Sequence, residues 1–209
     1  MAIDFEELAS GGMSADQLAN VFLREYYCGK EIIYPINPFQ MLTDLKIAFL
    51  LRPFKKYEGI YIPAEDEEDF PIVGINLLRP IVRQRFTAAH ELCHHLKDVH
   101  SGFMCATNAR SEIEKYAENF ASELLMPTAE LKKQAQKYAK DGYVDLDGVL
   151  LIADYFGASF LSCLYKIAYR LHMIQGDTDA ETLQKLARKY KPAVKRKEQD
   201  KYCLLYTSD

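Results

Sequence analysis

Apolar side chains first fall into a helical rhythm near residue 18. Leu18, Val21, Phe22 and Tyr26 return every three to four positions. Ser14 stands where an N-cap belongs, Asp16 and Gln17 follow it, and Gly29 can end the helix. Pro35 and Pro38 mark a turn, and Pro38 can open a second, short helix through about Leu45. The period then changes. Three short apolar runs, Ile47 to Leu51, Ile60 to Ile62 and Ile72 to Leu77, are separated by turn residues and charges, which predicts strands of a small sheet. The helical period returns over 81–97 and 111–125, and Met126-Pro127 breaks the second of these. Further helices are predicted at 128–140, 146–156 and 160–173. Helices around one small sheet predict an α+β fold.

The same punctuation predicts three parts. Residues 14–127 read as the core, 128–175 as a helical subdomain, and 176–209 as a polar basic tail. The tail is expected to be disordered or partly non-native, because Cys203-Leu204-Leu205-Tyr206-Thr207-Ser208-Asp209 changes character abruptly. At 209 residues the chain has room for one domain and a small appendage. Its hydrophobic fraction of 49% and charged fraction of 27% exclude a fibrous or wholly disordered chain.

Charge narrows the partners. A net charge of −4 argues against a whole-protein electrostatic grip on nucleic acid. The acidic run from Glu65 to Asp69 reads as a solvated loop. Over 185–201 eight basic residues stand against Glu198 and Asp200, a pattern expected of a solvated helix or a disordered segment. The acidic start from Met1 to Glu7 predicts no secretory leader, and no stretch is apolar enough for a membrane span. Five widely spaced cysteines fit reduced thiols, so a cytoplasmic location is expected.

The chemistry sits in the helix over 81–97. His90-Glu91-Leu92-Cys93-His94 reads HExxH, and residues i and i+4 of a helix share a face, so both imidazoles can reach one ion. Glu91 lies about 100° further round, where it can hydrogen-bond a water on that ion without being a ligand. Zinc suits two nitrogens, one further protein ligand and an open position for water. It lowers the water's pKa, and Glu91 is the candidate general base.

The third ligand is open on spacing alone. His100 matches the outer spacing of HExxHxxGxxH, but Lys97 stands at the glycine, where a left-handed turn costs about 1 kcal/mol or more. Glu112, Glu114, Glu118 and Glu123 lie on the next helix, where Ala117 and Ala121 allow close approach. Glu114 and Glu118 are i, i+4, so either can ligate while the other holds a ligand histidine. A capping box, Ser111-Glu112-Ile113-Glu114, competes for Glu114.

Two blocks resemble a known family. Arg83-Gln84-Arg85-Phe86-Thr87-Ala88-Ala89-His90-Glu91-Leu92-Cys93-His94 resembles the RxRFTxAHELGH block of the ImmA/IrrE metallopeptidases. Residues 114–127, from Glu114 through Ala117, Phe120 and Ala121 to Leu124-Leu125-Met126-Pro127, are similar to that family's ExxANxFAxxLLMP block. The resemblance covers about 14–175. It implies a zincin-like core in which His90, His94 and Glu114 bind Zn2+ and Glu91 is the base. Cys93 replaces a glycine of the pattern and Glu118 an asparagine. Glu118 and His100 stay as alternative or supporting ligands. By analogy with zincins, the strand with Gly74, Ile75 and Asn76 is a candidate edge that pairs with an extended substrate. Arg83 and Arg85 read as structural ion-pairing residues.

Downstream, Leu146 to Phe156, Gly157-Ala158-Ser159 and Phe160 to Leu171 read as helix, tight turn, helix, a helix-turn-helix-like segment. Its second helix offers mainly apolar residues, so packing or protein contact is expected and direct DNA binding is not. The resemblance implies an endopeptidase acting on regulatory proteins, among them helix-turn-helix repressors of mobile elements or stress genes. The alternative is a non-catalytic scaffold that binds a repressor or DNA.

Overall fold

The computed structural model describes residues 12–66, 69–97, 103–106 and 112–190, with the backbone alone over 103–106. The chain divides into two compact units, one ending at Pro127 and one beginning at Thr128.

In the first unit, helix α1 (Ala15–Tyr27) starts at Ser14 with a reciprocal capping box. The Gln17 amide donates to Ser14 Oγ at 3.3 Å, and the Ser14 amide donates to Gln17 Oε1 at 3.0 Å. The helix ends one residue earlier than Gly29, on Cys28 in the left-handed region at φ 48°. Helix α2 (Pro38–Asp44) has Asn37 as its cap, and proline in its first turn costs no hydrogen bond there. Strands β1 (Ala48–Arg52), β2 (Tyr57–Ile62) and β3 (Ile72–Asn76) follow, then helix α3 (Ile81–Lys97), strand β4 (Phe103–Ala106) and helix α4 (Glu112–Leu125).

The sheet order is β1-β3-β2-β4. β1 runs parallel to β3, β2 antiparallel to β3, and β4 antiparallel to β2. This corrects one expectation. β3 has partners on both sides, so Gly74, Ile75 and Asn76 have no open edge for an extended substrate. Asn76 is a stitch instead. Its Nδ2 donates to the carbonyls of Phe54 and Tyr57, both at 2.8 Å, and its Oδ1 accepts from the Leu78 amide at 3.0 Å. β4 was not anticipated from the sequence.

The core lies between one face of the sheet and the helices. Val73, Ile75 and Tyr61 point into it with Leu92, Phe120, Leu124 and, from α1, Leu18 and Phe22. Burying such side chains stabilises the unit by about 1.5–3 kcal/mol each relative to exposure. This unit is the expected α+β core, helices packed on one small mixed sheet.

In the second unit, helix α5 (Thr128–Tyr138) runs into a two-residue hairpin, β5 (Ala139–Lys140) with β6 (Tyr143–Val144). Asp141 and Gly142 turn it with φ of 52° and 84°, the pair of positive angles a tight hairpin demands. Helix α6 (Leu146–Phe156) is capped by Asp145 and ends on Gly157 at φ 58°. Ser159 caps helix α7 (Phe160–Lys166), and the axis turns by 110° between the two. The predicted helix to residue 173 is shorter as an α-helix: from Ile167 to Leu171 it widens to π geometry and stops at His172, φ 55°. Part of the expected polar tail is a helix over 180–190, whose Tyr190 ring stacks on Phe160 at 5.5 Å. The remainder of that tail, 191–209, lies outside the described residues. Among the described residues no single helix is long and apolar enough to cross a membrane.

Candidate metal centre

α3 is buried nearly all round although it is not apolar. Gln84, Arg85, Thr87, His90, Glu91 and His94 are buried in it together with Ala88, Ala89 and Leu92. Burying polar groups costs several kcal/mol unless they are partnered, so each calls for an account. Gln84 Nε2 donates to the carbonyls of Leu77 and Arg79, tying the turn before the helix to its first coil. Arg85 donates to the Ile36 carbonyl at 2.6 Å. Arg83 lies at the surface, paired with Glu58 at 3.4 Å and set over the Phe86 ring. The arginine pair is therefore engaged in the scaffold.

His90 and His94 stand one turn apart, and their Nε2 atoms approach to 3.1 Å. Across from them α4 brings Glu114. Its Oε2 is 3.3 Å from His90 Nε2, and its Oε1 is 3.7 Å from His94 Nε2. The approach depends on small side chains: Ala117 and Ala121 of α4 and Ala88 and Ala89 of α3 are all fully buried. Two ring nitrogens and a carboxylate oxygen thus converge within 4.8 Å of one another, all three residues buried.

The spacing fits a divalent ion. A tetrahedral ion with ligands at about 2.0–2.1 Å holds neighbouring ligand atoms about 3.3 Å apart. The 3.1, 3.3 and 3.7 Å separations bracket that value. The small residual exposure is on His90 and Glu114, at 7% each, while His94 and Glu91 have none. The group is therefore reached from the His90–Glu114 side.

The rival ligands resolve by burial. Glu118 is exposed, just off the stripe of Glu114, Ala117, Phe120, Ala121 and Leu124 that α4 buries, so it neither ligates nor supports. Glu112 is exposed and pairs with Lys115 at 2.6 Å. Glu123 is buried on another side, where it accepts from Asn20 Nδ2 of α1 at 3.1 Å. His100 and the capping residue Ser111 lie outside the described residues. Glu114 faces the histidines.

Glu91 projects towards the sheet. Its carboxylate lies against Gly59 of β2, with Thr87 one turn earlier beside it. The sequence signal for this contact is a lone glycine inside a strand pattern, which marks a close approach. The next residue along from the ligands, His95, belongs to packing. Burial pushes its ring pKa down to about 4, and its Nδ1 lies 3.0 Å from the Tyr61 hydroxyl. Cys93 is buried and forms no disulfide. Close by, burial first and then the Cys93 thiol push the Tyr116 hydroxyl up to about 12. That hydroxyl donates to the Met13 carbonyl at 2.9 Å, which anchors the chain ahead of α1.

The sequence profile of a peptidase family, described as the IrrE N-terminal-like domain, matches residues 42–168. That span holds every strand of the main sheet, α3 and α4, and well over half of the chain. No match was found among curated proteins. The chain belongs to the ImmA/IrrE family of metallopeptidases.

Proposed function

We propose that this member of the family is a zinc-dependent endopeptidase that cuts regulatory proteins, helix-turn-helix repressors among them. One observation carries the reading. Two imidazole nitrogens and a carboxylate oxygen converge in a buried group next to a further buried carboxylate, Glu91. His90, His94 and Glu114 would hold the ion, a donor set that leaves a position open. When bound, zinc supplies a Lewis acid that polarises a peptide carbonyl and makes a water easier to deprotonate.

The proton work falls to Glu91. Its carboxylate accepts a proton from the attacking water while the water oxygen bonds to the carbonyl carbon. It hands that proton to the amine nitrogen as the C–N bond breaks. One water is consumed, a carboxylate and an amine leave, and Glu91 ends as it began. Glu91 is fully buried, which strengthens such charge movements relative to bulk water.

The helix pair α6 and α7 fits packing or protein contact better than DNA reading. α7 buries Phe160, Cys163 and Leu164, and Phe160 also carries the Tyr190 ring. The thiols Cys28, Cys93 and Cys163 support a reducing compartment, the cytoplasm.

The test has two stages. Elemental analysis should find about one zinc per purified chain and a marked loss in Glu114→Gln. The zinc-loaded protein is then incubated with a repressor encoded beside it. Cleavage by the wild type and none by Glu91→Gln is expected. Equal behaviour of the two sinks the peptidase reading and leaves the non-catalytic scaffold.

A further inference from the structure

We propose that Gly59 is a positioning residue for Glu91: the bare backbone of β2 is the wall against which the Glu91 carboxylate is held. The inference rests on the reading of Glu91 as the proton acceptor.

Gly59 is buried in β2 and paired on both sides, to Ile75 of β3 and to Cys105 of β4. The strand there cannot swing away without breaking a ladder. Nor does the backbone itself ask for glycine. Gly59 is not among the glycines of positive φ, and glycine inside a strand is a weaker choice than a side chain by about 0.5–1 kcal/mol. What requires glycine is the space above it. A Cβ at this position falls 2.2 Å from Glu91 Oε1, 2.9 Å from its Cδ and 2.5 Å from the Thr87 methyl. Ordinary contact begins near 3.4 Å, so the carboxylate would have to move by more than about 1 Å. Gly74, on the neighbouring strand, is different: only the Phe54 ring crowds it, at 3.0 Å.

The position therefore trades strand stability for a fixed carboxylate. Thr87 closes the gap one turn earlier on α3, and the full burial of Glu91 leaves it little room to rotate. The three atoms nearest that Cβ belong to Glu91 and Thr87 and not to His90, His94 or Glu114. A methyl at Gly59 should thus separate metal binding from proton transfer.

The experiment is Gly59→Ala in the full chain, with three readings. Zinc per chain should stay at about one. A crystal structure with zinc added should show the Glu91 carboxylate moved by about 1 Å or more. Cleavage of the repressor should fall about a hundredfold, the cost of a 1 Å misplacement, through kcat rather than KM. A carboxylate in its original place, or full activity with the methyl present, overturns the proposal. Loss of zinc overturns it too, since the defect would then be a collapsed site. If the variant does not fold, the readings are made on Gly59→Ala with Thr87→Ser, which removes the methyl conflict and keeps the carboxylate one. Failure of that pair to fold also overturns it. If the wild type cleaves nothing, the peptidase reading fails, while the moved carboxylate and the retained zinc still decide whether β2 positions Glu91.

Discussion

The two compact units bury different kinds of side chain. Nine of the ten buried polar or charged residues among those described, from Asn76 to Glu123, belong to the first unit. The second has Lys166 alone and otherwise closes on Val149, Ile152, Phe156, Phe160, Leu164, Ile167 and Leu183. An apolar core is the cheaper solution, because a buried polar atom must recover its lost hydration through a partner. Asn76, Gln84, Arg85 and Glu123 recover it through hydrogen bonds within the scaffold, and what remains, besides Thr87, is the group of His90, His94 and Glu114 with Glu91 beside it. Six of the nine lie on α3 and Glu114 on the face of α4 that meets it, while Asn76 sits in β3 and Glu123 turns to Asn20 of α1.

The comparison is broken most severely by a change that alters chemistry and spares structure. Glu91→Gln keeps the shape and the metal-binding group and removes the proposed proton acceptor. Turnover of the repressor should fall about 10²–10⁴-fold, with zinc content unchanged. A variant that still turns over at the wild-type rate would assign the proton work elsewhere.

Phe156→Ala is the mirror case. Phe156 is fully buried in the second unit and packs edge-on to Tyr155 at 4.9 Å. Its truncation should cost about 3–5 kcal/mol, seen as a lower midpoint in denaturant, at an unchanged one zinc per chain. Zinc lost in this variant would mean that the units do not divide the labour as their cores suggest.

Chelation should act on the first unit alone. A ligand at 100 to 1,000 times its dissociation constant stabilises the fold that binds it by about 2.7–4.1 kcal/mol. Removing zinc should therefore lower amide-exchange protection over α3 and α4 and leave α6 and α7 as they were. Equal loss in both units would count against a site confined to the first.

How much of this could be read from residues follows from how local each cause is. Helix starts were legible because they are a matter of a few residues: Ser14 with Gln17 caps α1, and Pro38 opens α2, as their spacing implies, while the Asn37 cap of α2 was not singled out. HExxH was legible because a helix fixes where i and i+4 point. Glu114 against Glu118 was not, since one turn of α4 separates them and only the packing of α4 on α3 decides which is buried. The place of β3 was hidden for a related reason. Its partner β1 joins it in parallel, and the register Ala48 to Ile72 comes from distant pairing. β4, Phe103 to Ala106, shows no alternation of apolar and polar residues to announce it. The hairpin at Asp141-Gly142 did carry a local signal, an Asp-Gly pair, that the helical reading of 128–140 overrode.

The smallest predicted effect tests whether the second unit's own electrostatics matter. Asp145 accepts from the Gly148 amide at 2.8 Å as the cap of α6. That hydrogen bond first, and Lys140 with it, hold its carboxyl below the usual aspartate range. A folded-state pKa below the unfolded one means that the carboxylate form is favoured by folding. Its contribution is complete above about pH 4 and fades as pH falls through the folded pKa. Asp145→Ala should thus cost about 1 kcal/mol at neutral pH, and the difference from wild type should shrink in acid. Asp145→Asn keeps the oxygen acceptor without the charge, so it should retain most of the stability and lose the acid dependence. The comparison is made by denaturant unfolding of the three proteins at pH 7 and pH 3. A constant gap between wild type and the alanine variant would show that the neutral acid caps α6 as well as the carboxylate does.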